Sequence, residues 1–196
     1  MGKHENQFFD QKFPESQRLP RIFEYKFVPN GLSSAGFPQI RLMDSKSGQV
    51  GNTLTDNARE DSGYRFHDVI HAAFAVFLGW SPVVRAFFHR KRKNNPVIDE
   101  VEDGGLAILI EEAIVRLCYE EAEHHHFFEH TTHVPRRLLR YIKQLTRRLE
   151  VHERGKKEWK QAIVSGFEVW RHVRRHNGGT IRGNLEKRTL EFVPLP

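Results

Sequence analysis

Apolar and polar positions along this chain change period twice. Ile22 to Val28 (IFEYKFV) alternates apolar and polar residues, the pattern of a half-buried strand, and Pro29-Asn30-Gly31 closes it. Gln39 to Met43 predicts a second short strand, with a turn at Ser47-Gly48-Gln49 leading into Val50. From Tyr64 onward the period becomes helical. Tyr64 to Leu78 (YRFHDVIHAAFAVFL) predicts a helix apolar on nearly every side, closed by Gly79. Ser81-Pro82 is an N-cap followed by proline at the first helical position, and predicts a second helix to about Lys93. Asn95-Pro96 repeats that signal for a third helix reaching Glu123, and Pro135 opens a fourth through about Glu150. A fifth runs from Lys156 to His176 and stops at Asn177-Gly178-Gly179. The period then returns to two, at Thr180 to Leu185 and Thr189 to Val193.

Strand-like ends around a helical middle predict a mainly α fold: a core of four to five helices, about residues 64–176, with a small antiparallel β-sheet formed by the N- and C-terminal segments. The 196 residues suit one domain over 21–196, preceded by an arm over 1–20 that Phe8, Phe9 and Phe13 dock on the body. No apolar run approaches the ~18–20 residues that a membrane span needs. Cys118 is the lone cysteine, so no disulfide framework or cysteine zinc site is expected, and the charged start carries no signal core. Together these predict a cytoplasmic protein without a membrane partner. The formal charge of +6 is concentrated in Arg85–Lys93, Arg136–Arg148 and Arg171–Arg175. The first two runs mix charge with apolar residues at helical spacing, which describes a solvated helix face as well as a surface for polyanions.

Candidate chemistry sits where polar residues interrupt apolar helices. His67 and His71 lie four apart on the first helix and share a face, a spacing that suits two ligands of one metal ion, with Asp68 beside them. Two core histidines satisfied by backbone carbonyls are the plainer alternative. The third helix carries Glu111-Glu112 inside LAILIEEAIVRLC, where a carboxylate needs a cation or a shifted pKa. Glu100, Asp103 and Glu111 fall on one side of that helix and are placed to face the His67/Asp68/His71 group, although Glu100 and Asp103 also read as a solvated acidic first turn. Gly104-Gly105 leaves room for a close helix contact or for a ligand. The polar loop Thr55 to Arg65 precedes the cluster and offers Asn57 and Asp61, with Arg65 as a phosphate holder. His124-His125-His126 reads as a polar helix end, and Arg171 with His176 as a chance match to an Arg-x4-His ribonuclease pattern.

Leu54-Thr55-Asp56-Asn57-Ala58, Asp61, Gly63 to Val69, Leu78 to Val83, Lys91-Arg92-Lys93, Asp99 to Gly105 and Ile110-Glu111-Glu112 form a set of motifs. Phe13-Pro14, Leu19-Pro20-Arg21, Phe23-Glu24, Gly178-Gly179 and Leu190-Glu191-Phe192 extend it outward. In these the chain resembles the C-terminal domain attached to some bacterial MazG-like nucleotide pyrophosphohydrolases. Those enzymes are all-helical, Mg-dependent and cleave nucleoside triphosphates to monophosphate and pyrophosphate. Their Glu-Glu-x-x-Glu signature is absent, because Val115 follows Glu111-Glu112 where a third Glu would stand. The resemblance is to the companion domain.

These readings predict a metal-dependent phosphohydrolase acting on nucleotides or another phosphorylated small molecule. His67, His71, Asp103 and Glu111 are the expected metal ligands, Glu112 and Asp68 the catalytic carboxylates, and Arg65, Asn57, Asp61 and Arg85 the substrate contacts. The expected cofactor is a divalent ion, Mg2+ or Mn2+, with Zn2+ admitted by the His ligands. A non-catalytic nucleotide-binding or regulatory module, as a homo-oligomer or with a partner protein, is the first alternative. A nucleic-acid-binding protein or ribonuclease is the second.

Overall fold

A computed structural model describes residues 8–45 and 47–195, so residues 1–7 of the expected arm lie outside the described residues. Five strands form one antiparallel sheet: Ile22–Leu32 (β1), Pro38–Asp44 (β2), Gly48–Leu54 (β3), Gly179–Asn184 (β4) and Thr189–Val193 (β5). Their order is β3-β2-β1-β4-β5, so the central strand comes from the N-terminal part and pairs with a hairpin from the C-terminal part. The alternation in β1 buries Phe23, Tyr25 and Phe27 on one face, and Ile40, Leu42, Val50 and Ile181 join them in the core.

This sheet overturns the expected mainly α class. With 45% helix and 19% strand, the fold is mixed α/β, and the sheet is a full layer. Two local features concealed it. Pro29-Asn30-Gly31 reads as a stop, yet β1 continues to Leu32 through a register shift between Pro29 and Leu32. Beyond Phe27 the strand has β2 on one side only, the edge condition in which proline is tolerated. The sequence of β3, GQVGNTL, has weak strand character of its own and takes the conformation by pairing with β2.

The helices among the described residues are Asp68–Leu78 (α1), Pro82–Phe87 (α2), Pro96–Val101 (α3), Gly105–Glu123 (α4), Arg136–Leu145 (α5) and Lys156–Arg175 (α6). Every residue of α1 is buried, as its all-round apolar sequence requires. It packs along α6, where a Cβ on Gly166 would stand 2.9 Å from the Ala73 Cβ, so the glycine sets how closely the two helices approach. Both helices lie against β4 and β5. The Tyr25 hydroxyl donates to the Asp68 carbonyl oxygen at 2.9 Å, tying the sheet to the start of α1.

The single helix expected over 95–123 is broken. Gly104 is extended (ψ 178°) and caps α4, and a Cβ there would collide with the Glu100 carbonyl oxygen. Gly104-Gly105 thus serves as a corner. The corner resets the helical phase, so Asp103 and Glu111 no longer share a side. The docking of the arm is visible from Phe8 onward. Asp10 is buried and accepts from the Leu19 N–H, Arg21 and Arg85. Phe8, Phe9 and Phe13 lie under the guanidinium groups of Arg21, Arg154 and Arg92.

Candidate metal centre

α1 crosses α4 so that the His67 and His71 side chains meet Glu111 and Glu112. Glu111 is fully buried and all its hydrogen bonds are accepted ones. His71 Nδ1–H donates at 2.8 Å and the Ser81 hydroxyl at 2.7 Å to Oε1, and the Val83 N–H donates at 2.9 Å to Oε2. Ser81 also accepts from the Val84 N–H, so Glu111 and the N-cap together satisfy the start of α2. These contacts make Glu111 the group that fixes the His71 ring, and its oxygens are not among the donor atoms that converge on the far side of that ring.

With Nδ1 committed to Glu111, His71 Nε2 points the other way. It is buried, makes no hydrogen bond among the described residues, and stands 3.4 Å from Glu112 Oε2. His67 shows the same polarity. Its Nδ1–H donates to the Tyr64 carbonyl oxygen at 2.8 Å, leaving Nε2 free 3.8 Å from the same Glu112 oxygen. The Tyr64 ring stacks on the His67 ring at 4.4 Å and holds its orientation. One atom each from His67, His71 and Glu112 therefore lies within 4.8 Å of the others. Ligand bonds of about 2.0–2.2 Å in a tetrahedral set place donor atoms about 3.3–3.6 Å apart, and the two His–Glu112 separations of 3.4 and 3.8 Å are near that span. Two imidazoles and one carboxylate suit Zn2+ or another transition ion better than Mg2+, which favours oxygen ligands. Each imidazole is oriented by an acceptor on its far nitrogen, as metal-bound histidines usually are.

Without a metal the charges respond to one another. Burial opposes a charge on His71, but Glu111 and Glu112 outweigh it and hold the imidazolium well above the ordinary histidine range. Burial pushes the Glu112 carboxyl up, while the neighbouring imidazoles of His71 and His67, when charged, bring it below its ordinary value. Asp68, at the rim, is buried with Oδ1 3.7 Å from His67 Nε2.

The other expected site residues lie elsewhere. Asp103 receives Arg92 through Nε and Nη2 and through its backbone N–H, with Arg85 Nε 3.5 Å away. Its place is a second buried network, in which Arg85 also binds Asp10 and Arg92 binds Glu150. Arg65 is buried between Asp56 and Asp61, each at 2.7 Å, and Asp56 also caps the Gly63 and Arg65 N–H groups. Asn57, left-handed at φ 50°, closes a local turn with Thr55. Arg65, Asp61 and Arg85 are thus spent on internal ion pairs. Ser81 and the Tyr64 carbonyl orient the cluster, and the sequence signals only the helix start at Ser81-Pro82, not the contact with Glu111. Arg116, one turn after Glu112, is half-exposed, lies 5.3 Å from the Tyr64 ring centre and pairs with Glu120.

A mixed α/β domain with a His/His/Glu cluster between its central helices defines the class. The family model of the MazG C-terminal domain matches residues 4–196, and the chain belongs to that family. No curated protein and no solved structure matches it. No helix among the described residues is long and apolar enough to cross a membrane.

Proposed function

We propose that His67, His71 and Glu112 hold a divalent transition-metal ion and that the domain is a metal-dependent phosphohydrolase acting on nucleotides. The observation that carries the reading is the buried His71 Nε2, unpartnered and aimed at Glu112 beside the free His67 Nε2. Membership of a family associated with MazG-like nucleotide pyrophosphohydrolases supports the substrate class. A bound ion would polarise a phosphoryl oxygen and lower the pKa of a coordinated water. Glu111 and the Tyr64 carbonyl keep the two imidazoles in the ligating tautomer. Asp68, beside His67 and outside the three-atom set, is positioned to take the proton from the attacking water. Arg116, on the Glu112 face of α4, supplies positive charge for the phosphates in place of the sequestered Arg65 and Arg85.

A binding or regulatory role for the same site is favoured by the missing Glu-Glu-x-x-Glu signature at Val115. The two are separated by incubating chelator-stripped protein with nucleoside di- and triphosphates and Mn2+, Zn2+ or Mg2+, and measuring released phosphate and pyrophosphate. Hydrolysis is expected with Mn2+ or Zn2+, falling about 10²–10⁴-fold in Asp68→Asn while metal content is retained. Metal uptake with a ligand-induced rise in melting temperature and no turnover supports the regulatory role instead.

A further inference from the structure

We infer that the outward face of α5, with the turn that follows it, binds single-stranded nucleic acid. Residues 136–148 hold Arg136, Arg137, Arg140, Lys143, Arg147 and Arg148 and no acidic residue. Leu138, Leu139 and Ile142 are buried in the body of the domain, so the helix is fixed in place and its arginines are held outward. Other arginine groups of the molecule, such as Arg65, Arg85 and Arg92, are neutralised by carboxylates. Here the pattern reverses. Among the described residues only Arg137 of this set meets a carboxylate, Glu121 at 3.3 Å, and that carboxylate is shared with His125. Arg136 and Arg140 lie one turn apart on α5, and Arg147 and Arg148 are exposed in the turn that follows it.

The start of α5 runs against its own stability. Its first turn carries Arg136 and Arg137 and no acid, and Pro135 provides no side-chain cap. An anion lying along the face would satisfy both the arginines and the uncapped N–H groups. Tyr141, 48% exposed, stands among the arginines and presents a ring to solvent. An aromatic platform inside a basic row matches a strand whose bases are unpaired, because a duplex hides its base faces. A membrane surface fits poorly, since the apolar side of the helix is already buried in the protein.

The test is fluorescence anisotropy of the full chain with a labelled single strand of about 16 nucleotides. About five phosphate contacts predict a hundredfold loss of affinity between about 50 and 200 mM salt. Replacing Arg136, Arg140, Arg147 and Arg148 together by Gln should abolish most of the binding and flatten the salt slope, with no fall in melting temperature. Tyr141→Ala should weaken binding at least about fivefold. A control set, Lys156→Gln, Lys157→Gln and Lys160→Gln on α6, should leave the affinity unchanged. The inference is overturned if the wild-type chain does not bind at low salt, or if the α6 set matters as much as the α5 set. It is equally overturned if duplex DNA or phosphatidylserine vesicles are bound more tightly than the single strand. None of these outcomes depends on the metal centre.

Discussion

The His71 cluster and the Asp103 network are both buried, both charged and both anchored at or just before α4, yet they are built on opposite principles. In the Asp103 network the charges answer one another. Asp103 is matched by Arg92 and Arg85, Arg85 by Asp10, and Arg92 by Glu150. In the His71 cluster Glu111 is equally well satisfied, but the outer nitrogens of two imidazoles and one Glu112 oxygen converge without a hydrogen bond between them. A closed set of ion pairs ties the arm, α2 and the α3–α4 corner together. An open set of like-directed donor atoms invites a cation. Burial alone does not mark a functional acid; what matters is whether its partners are already present.

That contrast can be broken by substitution. Asp103→Ala strands Arg92 and Arg85 in the interior and should lower stability by about 3–5 kcal/mol, read by urea unfolding, while the folded fraction keeps its metal affinity. Glu111→Gln keeps the shape and one acceptor but loses the charge. It should cost about 1–3 kcal/mol and weaken metal binding about 10–100-fold. If the two substitutions gave the same pattern, the division between a structural network and a ligand cluster would fail.

A smaller effect sharpens the structural side. Burial and the neighbouring Glu150 push the Glu102 carboxyl up to about 7. Its folded-state value lies above the ordinary 4.5, so the stability that this group contributes is present in acid and lost as pH rises from about 4.5 to about 7. Glu102→Gln stays neutral and can still accept from the Glu150 N–H. The variant should gain on wild type over that window, by on the order of 2 kcal/mol, and run parallel above it. A gap that stays constant with pH would remove Glu102 from the titrating groups.

The sequence exposed the contrast only in part. His67, His71 and Glu112 stand out because each interrupts apolar helical sequence at a spacing that fixes a shared face. Glu111 stands out for the same reason, and no periodicity says that its neighbour Glu112, and not Glu111, is the one left open. That depends on Ser81 and the Val83 N–H arriving from α2, a tertiary event. Asp103 falls on the side of the cluster only if 95–123 is one continuous helix; the steric demand at Gly104 breaks it. Arg65 and Arg85 look like phosphate holders until their partners, Asp56, Asp61 and Asp10, are seen folded onto them. In the sheet, β1 and β5 carried their own alternation, whereas β3 is a strand only because β2 lies beside it.

The central claim is that His67, His71 and Glu112 form one site for one ion. Calorimetric titration of chelator-stripped protein with Zn2+ and with Mn2+, at neutral pH, tests it most directly. The account predicts saturable uptake of a single ion per chain that is lost in His71→Ala and in His67→Ala, while Asp103→Asn retains it. No uptake by the wild-type chain, or uptake indifferent to both histidine substitutions, would contradict it.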